Sequence, residues 1–389
     1  CESLCTYCGC NTRITVNHEV ELPYVQAVIK EFQLIKNILG TRPKLNEIHL
    51  GGGTPTFFSP SHLRLLIEGI VKELETADNA VLSFEGHPNN TTKAHLQTLY
   101  ALGFRRVSFG IQDSDPKVQK AINRMQPDEA VTRVTKWARE IGYTSVNFDL
   151  IYGLPFQTQE SIGKTMQLVK VLRPDRIAFY SYAHVPWKRP GQRAYNDSDL
   201  PSPEEKHQLN QFGQALLSEM NYVGIGMDHF ALADEELCLA MREKTLHRNF
   251  MGYTTNPGQL LIGLGVSAIS DISLAYAQNP KTVEQYLALI AEEKLPQVKG
   301  HMMTPKEIKT KAQILEVACQ QQVSDRLYQQ LASPQKSQID EFVSDGLLEQ
   351  ISGGYEVSGL GRQFLRNICS IFDSHHAKNR AKLTFSRSV

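Results

Sequence analysis

The 389-residue sequence predicts an α/β chain: a parallel sheet, open or rolled into a full or partial barrel, followed by a winged-helix-like C-terminal module. Three observations predict it. Short apolar runs alternate with longer amphipathic stretches at intervals of ~30 residues, the rhythm of βα units joined by right-handed crossovers. The polar residues that stand out follow directly after those runs, where parallel α/β folds place their functional groups. From about Thr304 the pattern changes to two helices and a hairpin.

The strands read in order as NEIHL (46–50), VLSFE (81–85), RVSFG (106–110), VNFDLI (146–151) and RIAFYS (176–181). LPYVQAVIKEFQLIKNI and PDEAVTRVTKWAREIG read as helices between them. After the strands come GGGTPT (51–56), Glu85, Gln112, Asp149 and Tyr182. The Pro- and charge-rich stretch 185–206 reads as an exposed connection leading to a helix at about 207–218. PKEIKTKAQILEVACQQQ, SPQKSQIDEFVSDG and the hairpin-like LLEQISGGYEVSGLG then outline a winged helix. The expected organisation is 1–185 for the sheet, 186–303 for a connecting and pocket region, and 304–389 for a helical cap.

Forty-one basic and 41 acidic residues balance, so no global field draws the chain to nucleic acid or to a membrane surface. The candidate recognition helix carries Asp340, Glu341 and Asp345 against Lys336, the wrong balance for phosphate contacts. We read this module as a cover for the site, and the late cations Lys378, Arg380, Lys382 and Arg387 as a solvated surface. No apolar run approaches the ~18 residues of a membrane span. Clustered reduced cysteines then point to a cytoplasmic chain, read as a monomer. The sequence opens on a cysteine without a strand before it, so the cysteine loop is expected to follow a strand lying upstream.

Cys1, Cys5, Cys8 and Cys10 fall within ten residues. Structural zinc sites usually come as two separated C-x2-C pairs, whereas this C-x3-C-x2-C-x-C spacing crowds four sulfurs into one loop. Three thiolates can wrap one face of an iron–sulfur cube and leave one iron open to a ligand that is not protein. Gly51, Gly52 and Gly53 remove side chains where a backbone must approach a ligand, although a plain tight turn would use them equally. Glu85 and Asp149 are acceptors for hydroxyls or an ammonium, or members of ordinary salt bridges. Cys238, Cys319 and Cys369 sit in apolar surroundings and read as small buried hydrophobes.

CESLCTYCGC, GGGTPT, SFGIQD, INRMQ, NFDLIYGLP, YAHVP, GMDHFA, LHRNFMGYTT, GVSAIS, RNICSIF and FSRSV together resemble the oxygen-independent coproporphyrinogen III oxidases, radical S-adenosylmethionine enzymes of haem biosynthesis. The resemblance implies an incomplete (β/α)6 barrel with a C-terminal helical domain. It implies a 4Fe-4S cluster on Cys1, Cys5 and Cys8 with Cys10 beside it, and S-adenosylmethionine near Gly52, Glu85 and Ile269. A second S-adenosylmethionine would meet Tyr7, Gly53, Thr54, Gln112, Arg124, Asp149 and Ala183. The implied reaction turns two propionates of a tetrapyrrole, coproporphyrinogen III, into vinyl groups. It begins with hydrogen abstraction, so no catalytic acid or base is assigned. Arg124, His247 and Arg248 are read as propionate partners because guanidinium forks match carboxylates. A reductant and an electron acceptor are also implied, without identities.

The chain departs from the family pattern at Gly86 and His87, where Glu-x-Asp/Asn-Pro is usual, and at Ser114, where an aromatic is common. Substrate fit is more exposed to these changes than cofactor binding. Two other readings share the fold. One is a haem-binding chaperone or silent paralogue, and relatives of that kind usually lack the counterparts of Cys10 and HRNFMGYTT, both present here. The other is a radical enzyme acting on haem itself, which product mass would separate.

Overall fold

Five strands, β1 (Lys44–Leu50), β2 (Glu75–Gly86), β3 (Arg106–Gln112), β4 (Ser145–Tyr152) and β5 (Arg176–Ser181), pair in parallel in that order in a computed structural model of the chain. Residues 1–258 and 260–373 are described; FSRSV and the cations from Lys378 to Arg387 lie outside them. The described residues divide into two units, Cys1–Met220 with Gly258–Met302, and Asn221–Pro257 with 303–373.

In the first unit all five apolar runs become strands. β2 starts six residues before its apolar run, and β3 and β4 each begin or end a residue or two beyond theirs. One phenylalanine from each of β2 to β5 (Phe84, Phe109, Phe148, Phe179) is buried beneath the helices and knits the sheet to them. Helix α1 (Glu21–Leu39) precedes β1, and α2 (Pro60–Val71), α3 (Lys93–Ala101), α4 (Pro116–Ala121), α5 (Asp128–Ile141), α6 (Gln159–Leu172) and α7 (Pro203–Glu219) follow in turn. Their starts are written locally. Thr92 and His95 satisfy each other's backbone N–H groups at the head of α3, and Asp115 accepts from the Lys117 N–H at the head of α4 (2.9 Å). This βα succession is that of an incomplete (β/α)6 barrel, as the family resemblance implies.

Residues 258–302 are more than a connection. Ile269–Asp271, Ala275–Gln278 and Lys299–Met302 form an antiparallel sheet, and the helix Val283–Ala291 lies between its last two strands in the chain. Glu31 of α1 anchors it. This fully buried carboxylate accepts from Gly265 N, Asn279 Nδ2 and Tyr286 Oη, each at 2.7 Å. Burial without a cation raises the Glu31 pKa, and the three donors partly offset that.

The second unit holds the hairpins Tyr222–Gly226/His229–Leu232 and His247–Asn249/Gly252–Thr254. It also holds the winged-helix-like module: helices Pro305–Gln320, Asp325–Gln329 and Ser333–Ser344 around a sheet of Gln322–Ser324, Gly354–Val357 and Leu348–Ile351. Val317, Val323, Leu327, Ile339, Leu348 and Ile368 form its core. Asp340 and Glu341 are exposed on the last of those helices and Asp345 directly after it. Among the described residues no helix is long and apolar enough to cross a membrane.

Candidate active site

The cysteine loop lies at the C-terminal end of the parallel sheet, and each contact that holds it there can be named. Thr6 N donates to Ile122 O (3.0 Å), Thr6 Oγ1 to Ala121 O (3.0 Å) and Asn123 Nδ2 to Leu4 O (2.7 Å), so the end of α4 grips one side. Gln192, almost fully buried, grips the other. Its Nε2 donates to the carbonyls of Tyr7 (3.0 Å) and Ala183 (3.1 Å), and its Oε1 accepts from Val185 N (2.6 Å). The Tyr7 ring packs against Val118, Ile122, Tyr182 and Tyr195.

One sulfur of the loop, that of Cys8, is held toward the thiolate. Cys10 N donates to Cys8 Sγ (3.4 Å) and the Cys10 thiol also donates to it, which holds the Cys8 thiol down to about 6 while the Cys10 thiol is pushed up. Arg124 Nη1 lies 3.6 Å from Cys5 Sγ, and Thr54 Oγ1 lies 3.2 Å from Cys1 Sγ. Among the described residues no three His, Cys, Asp or Glu side chains converge on one point as a single metal ion requires. A cube asks for something else, three thiolates spread over three irons, and this loop offers Cys1, Cys5 and Cys8 at short spacing for that purpose.

The loop after β1 completes the rim. A Cβ on Gly53 would sit 3.1 Å from Cys1 Sγ, and one on Gly51 would strike His49 Nε2 (2.8 Å) and Glu85 Oε1 (3.0 Å). Gly52 has φ +112°, a conformation that favours glycine. Gly53 thus brings bare backbone against the cysteine loop, and Gly51 against the carboxylate at the end of β2.

Glu85 is partly open to solvent and meets His49 Nε2 at 3.4 Å. Two strands away, Asp149 accepts from Ser108 Oγ and Asn147 Nδ2, both at 2.8 Å. Burial, and then the charge of Glu85, push the Asp149 pKa up to about 6. Between β3 and β4 the register slips at Gly110/Gln112, and Gln112 takes φ +68°, a bulge at the sheet's functional end. Arg124 Nη2 donates to Gly110 O (2.6 Å), while its buried Nε has no hydrogen-bond partner among the described residues.

Around these groups stands a buried amide network that sequence reading missed. Gln119 Nε2 donates to Asp113 O (2.9 Å) and Gln126 O (2.8 Å), and Gln157 Nε2 donates to the buried Asp113 carboxylate (2.6 Å). SFGIQD and INRMQ contain Asp113 and Gln126, so the motifs were visible but their joint work of fixing the β3 end was not. The departures from the family pattern also acquire causes. A Cβ on Gly86 would press on Thr91 Oγ1 (2.9 Å) and Phe109 Cε1 (3.0 Å). His87 is kept neutral by burial and by Arg124, its pKa lowered to about 3. Ser114 exchanges hydrogen bonds with Thr165 of α6.

Three further residues read from the sequence belong to other elements. Ile269 is on the antiparallel sheet of the first unit, 38% exposed. His247 and Arg248 belong to the second unit, where His247 is exposed and Arg248 lies over the Tyr253 ring at 5.4 Å.

A parallel barrel with a three-cysteine loop, a glycine rim and strand-end carboxylates defines the class of radical S-adenosylmethionine enzymes, and residues 1–169 match the Radical SAM superfamily. The chain is 37% identical to the oxygen-independent coproporphyrinogen III oxidase of Synechocystis, spanning all of this chain and 86% of that one. It is 37% identical to that of Helicobacter pylori strain J99, over 96% of this chain and 84% of that one. The structure of coproporphyrinogen III oxidase from Escherichia coli, a radical SAM enzyme, superposes with TM-score 0.91 at 37% identity, covering 96% of this chain and 88% of that one. The chain belongs to the family of oxygen-independent coproporphyrinogen III oxidases.

Proposed function

We infer that this chain oxidatively decarboxylates coproporphyrinogen III to protoporphyrinogen IX, converting two propionates to vinyl groups in cytoplasmic haem biosynthesis. What carries the reading is the meeting of Cys1, Gly53, Thr54, Cys5 and Arg124 at one end of the sheet, in a chain similar over its whole length to enzymes of that name. When bound, a 4Fe-4S cluster and S-adenosylmethionine supply a 5′-deoxyadenosyl radical that takes hydrogen from the propionate carbon β to the carboxylate.

The residues present hold and orient. Cys1, Cys5 and Cys8 hold the cluster, and Cys10 supports the charge on Cys8. Gly52 with its positive φ offers backbone to the amino acid end of the cofactor, alongside Glu85 and Ile269. Asp149, ionised above about pH 6, accepts hydroxyls. We assign Tyr7, Gly53, Thr54, Gln112, Arg124, Asp149 and Ala183 to a second S-adenosylmethionine, with the unpartnered Arg124 Nε supporting an anionic group there. His247 and Arg248 are assigned to substrate carboxylates.

The test is anaerobic turnover of the reconstituted chain with coproporphyrinogen III, followed by product mass. Loss of two carbon dioxide equivalents supports the reading. Haem bound and released unaltered, or a methylated or ring-opened product, contradicts it.

A further inference from the structure

The two segments that grip the cysteine loop are cationic. Residues 116–125 carry Lys117, Lys120 and Arg124 with no Asp or Glu, and residues 185–195 carry Lys188, Arg189 and Arg193 with none either, in a chain of zero net charge. Lys117, Lys120, Lys188 and Arg193 are exposed. Lys117 lies over the Phe156 ring at 4.6 Å, and Arg193 Nε donates to Pro186 O (3.2 Å). No carboxylate pairs with any of these four among the described residues, whereas the nearby acids are engaged: Asp115 with Lys164, and Asp197 with His184. Apolar side chains open onto the same face, with Leu4 44% and Trp187 53% exposed, and Gly191 in the second segment lies against Leu4 and Thr6.

We propose that this face, made of Leu4, Lys117, Lys120, Trp187, Lys188 and Arg193, is the docking surface of a small acidic electron-carrier protein, flavin or iron–sulfur in type. The inference rests on the proposed radical chemistry, whose cluster must accept one electron. One electron leaves the reduced carrier and enters the cluster, oxidising the first and reducing the second. Unpaired cations around an apolar centre are the complement of an acidic carrier: they steer encounter and set orientation without demanding tight binding. Placement argues for a carrier over other polyanions, because the backbone that the cationic segments hold is the backbone that bears Cys5 and Cys8.

The experiment measures two quantities on the anaerobically reconstituted chain, with a flavodoxin and a plant-type ferredoxin as separate probes. The first is equilibrium affinity at low and at physiological salt. The second is the rate of cluster bleaching by the reduced probe and, separately, by dithionite. The variants are K117E/K120E and K188E/R193E, with K136E/K170E on the outer faces of α5 and α6 as control. At least one probe should bind micromolar or tighter at low salt, at least tenfold more weakly in each docking variant, and unchanged in the control. Bleaching by that probe should slow to match, while bleaching by dithionite stays constant.

Equal affinity in all variants overturns the proposal, as does equal slowing of both reductants. Loss of binding to phosphatidylserine vesicles in the docking variants, with neither probe bound by the parent chain, overturns it also. Failure of this surface is distinguishable from failure of the radical reading: dithionite-driven formation of 5′-deoxyadenosine persists in the first case and is absent in the second.

Discussion

Arg124 joins the cysteine loop to the sheet: one end of its guanidinium lies 3.6 Å from Cys5 Sγ and the other donates to the Gly110 carbonyl at 2.6 Å. A single fork therefore sets the distance between a cluster ligand and the bulged end of β3. Lysine, a point charge, cannot span both. Arg124→Lys should keep iron and sulfide yet lower 5′-deoxyadenosine formation about ten- to a hundredfold, the worth of a charged hydrogen bond of roughly 1.5–3 kcal/mol. Full activity in the lysine variant would remove Arg124 from the site.

The four loop cysteines should separate into two kinds. Alanine at Cys1, Cys5 and Cys8 together should abolish the brown absorbance and the iron content. Cys10→Ser should keep about four irons per chain, since that residue donates to Cys8 and a serine hydroxyl can do the same. Iron and sulfide analysis after anaerobic reconstitution checks both, and stoichiometric zinc without sulfide would contradict the assignment.

Glu85→Gln and Asp149→Asn should each weaken cofactor cleavage while leaving the cluster intact. Asp149 adds a stability signature. Its folded-state pKa of about 6 exceeds the ordinary carboxylate value, so the folded chain binds this proton more tightly than the unfolded one. Stability therefore falls as pH rises from about 4 through 6. At neutral pH the ionised group costs the fold on the order of 2–3 kcal/mol, before relaxation and water access reduce it. The cluster-free Asp149→Asn chain should accordingly melt higher than its parent at about pH 7.5, and no higher near pH 4. Equal melting at both values would show that Asp149 is not strained by burial.

Glu31 accepts from three donors in the buried interface between α1 and the 258–302 segment. Alanine there would leave Gly265 N, Asn279 Nδ2 and Tyr286 Oη without their acceptor, at about 1–3 kcal/mol each. Glu31→Ala should lower the denaturant midpoint strongly, and Glu31→Gln less, because one amide oxygen remains. A midpoint unchanged in the alanine variant would mean that water replaces the carboxylate.

What could be read in advance was local. Each of the five parallel strands announces itself as an apolar run between helical stretches, and the cysteine spacing and glycine triplet carry their chemistry within a few residues. The supports were illegible because their partners are remote: Glu31 meets Gly265 across 234 positions, and Gln192 meets Tyr7 across 185. No periodicity reports such pairs. Gly86 is the intermediate case. The sequence showed that the pattern broke there, and only packing against Phe109 and Thr91 shows why a side chain is excluded.

The central claim, that this site draws hydrogen from a propionate arm, is tested most directly with coproporphyrinogen III deuterated at the propionate carbons β to the carboxylates. Anaerobic turnover should place deuterium in 5′-deoxyadenosine as the substrate loses carbon dioxide. Deuterium-free 5′-deoxyadenosine, formed alongside vinyl product or without any, would contradict the account.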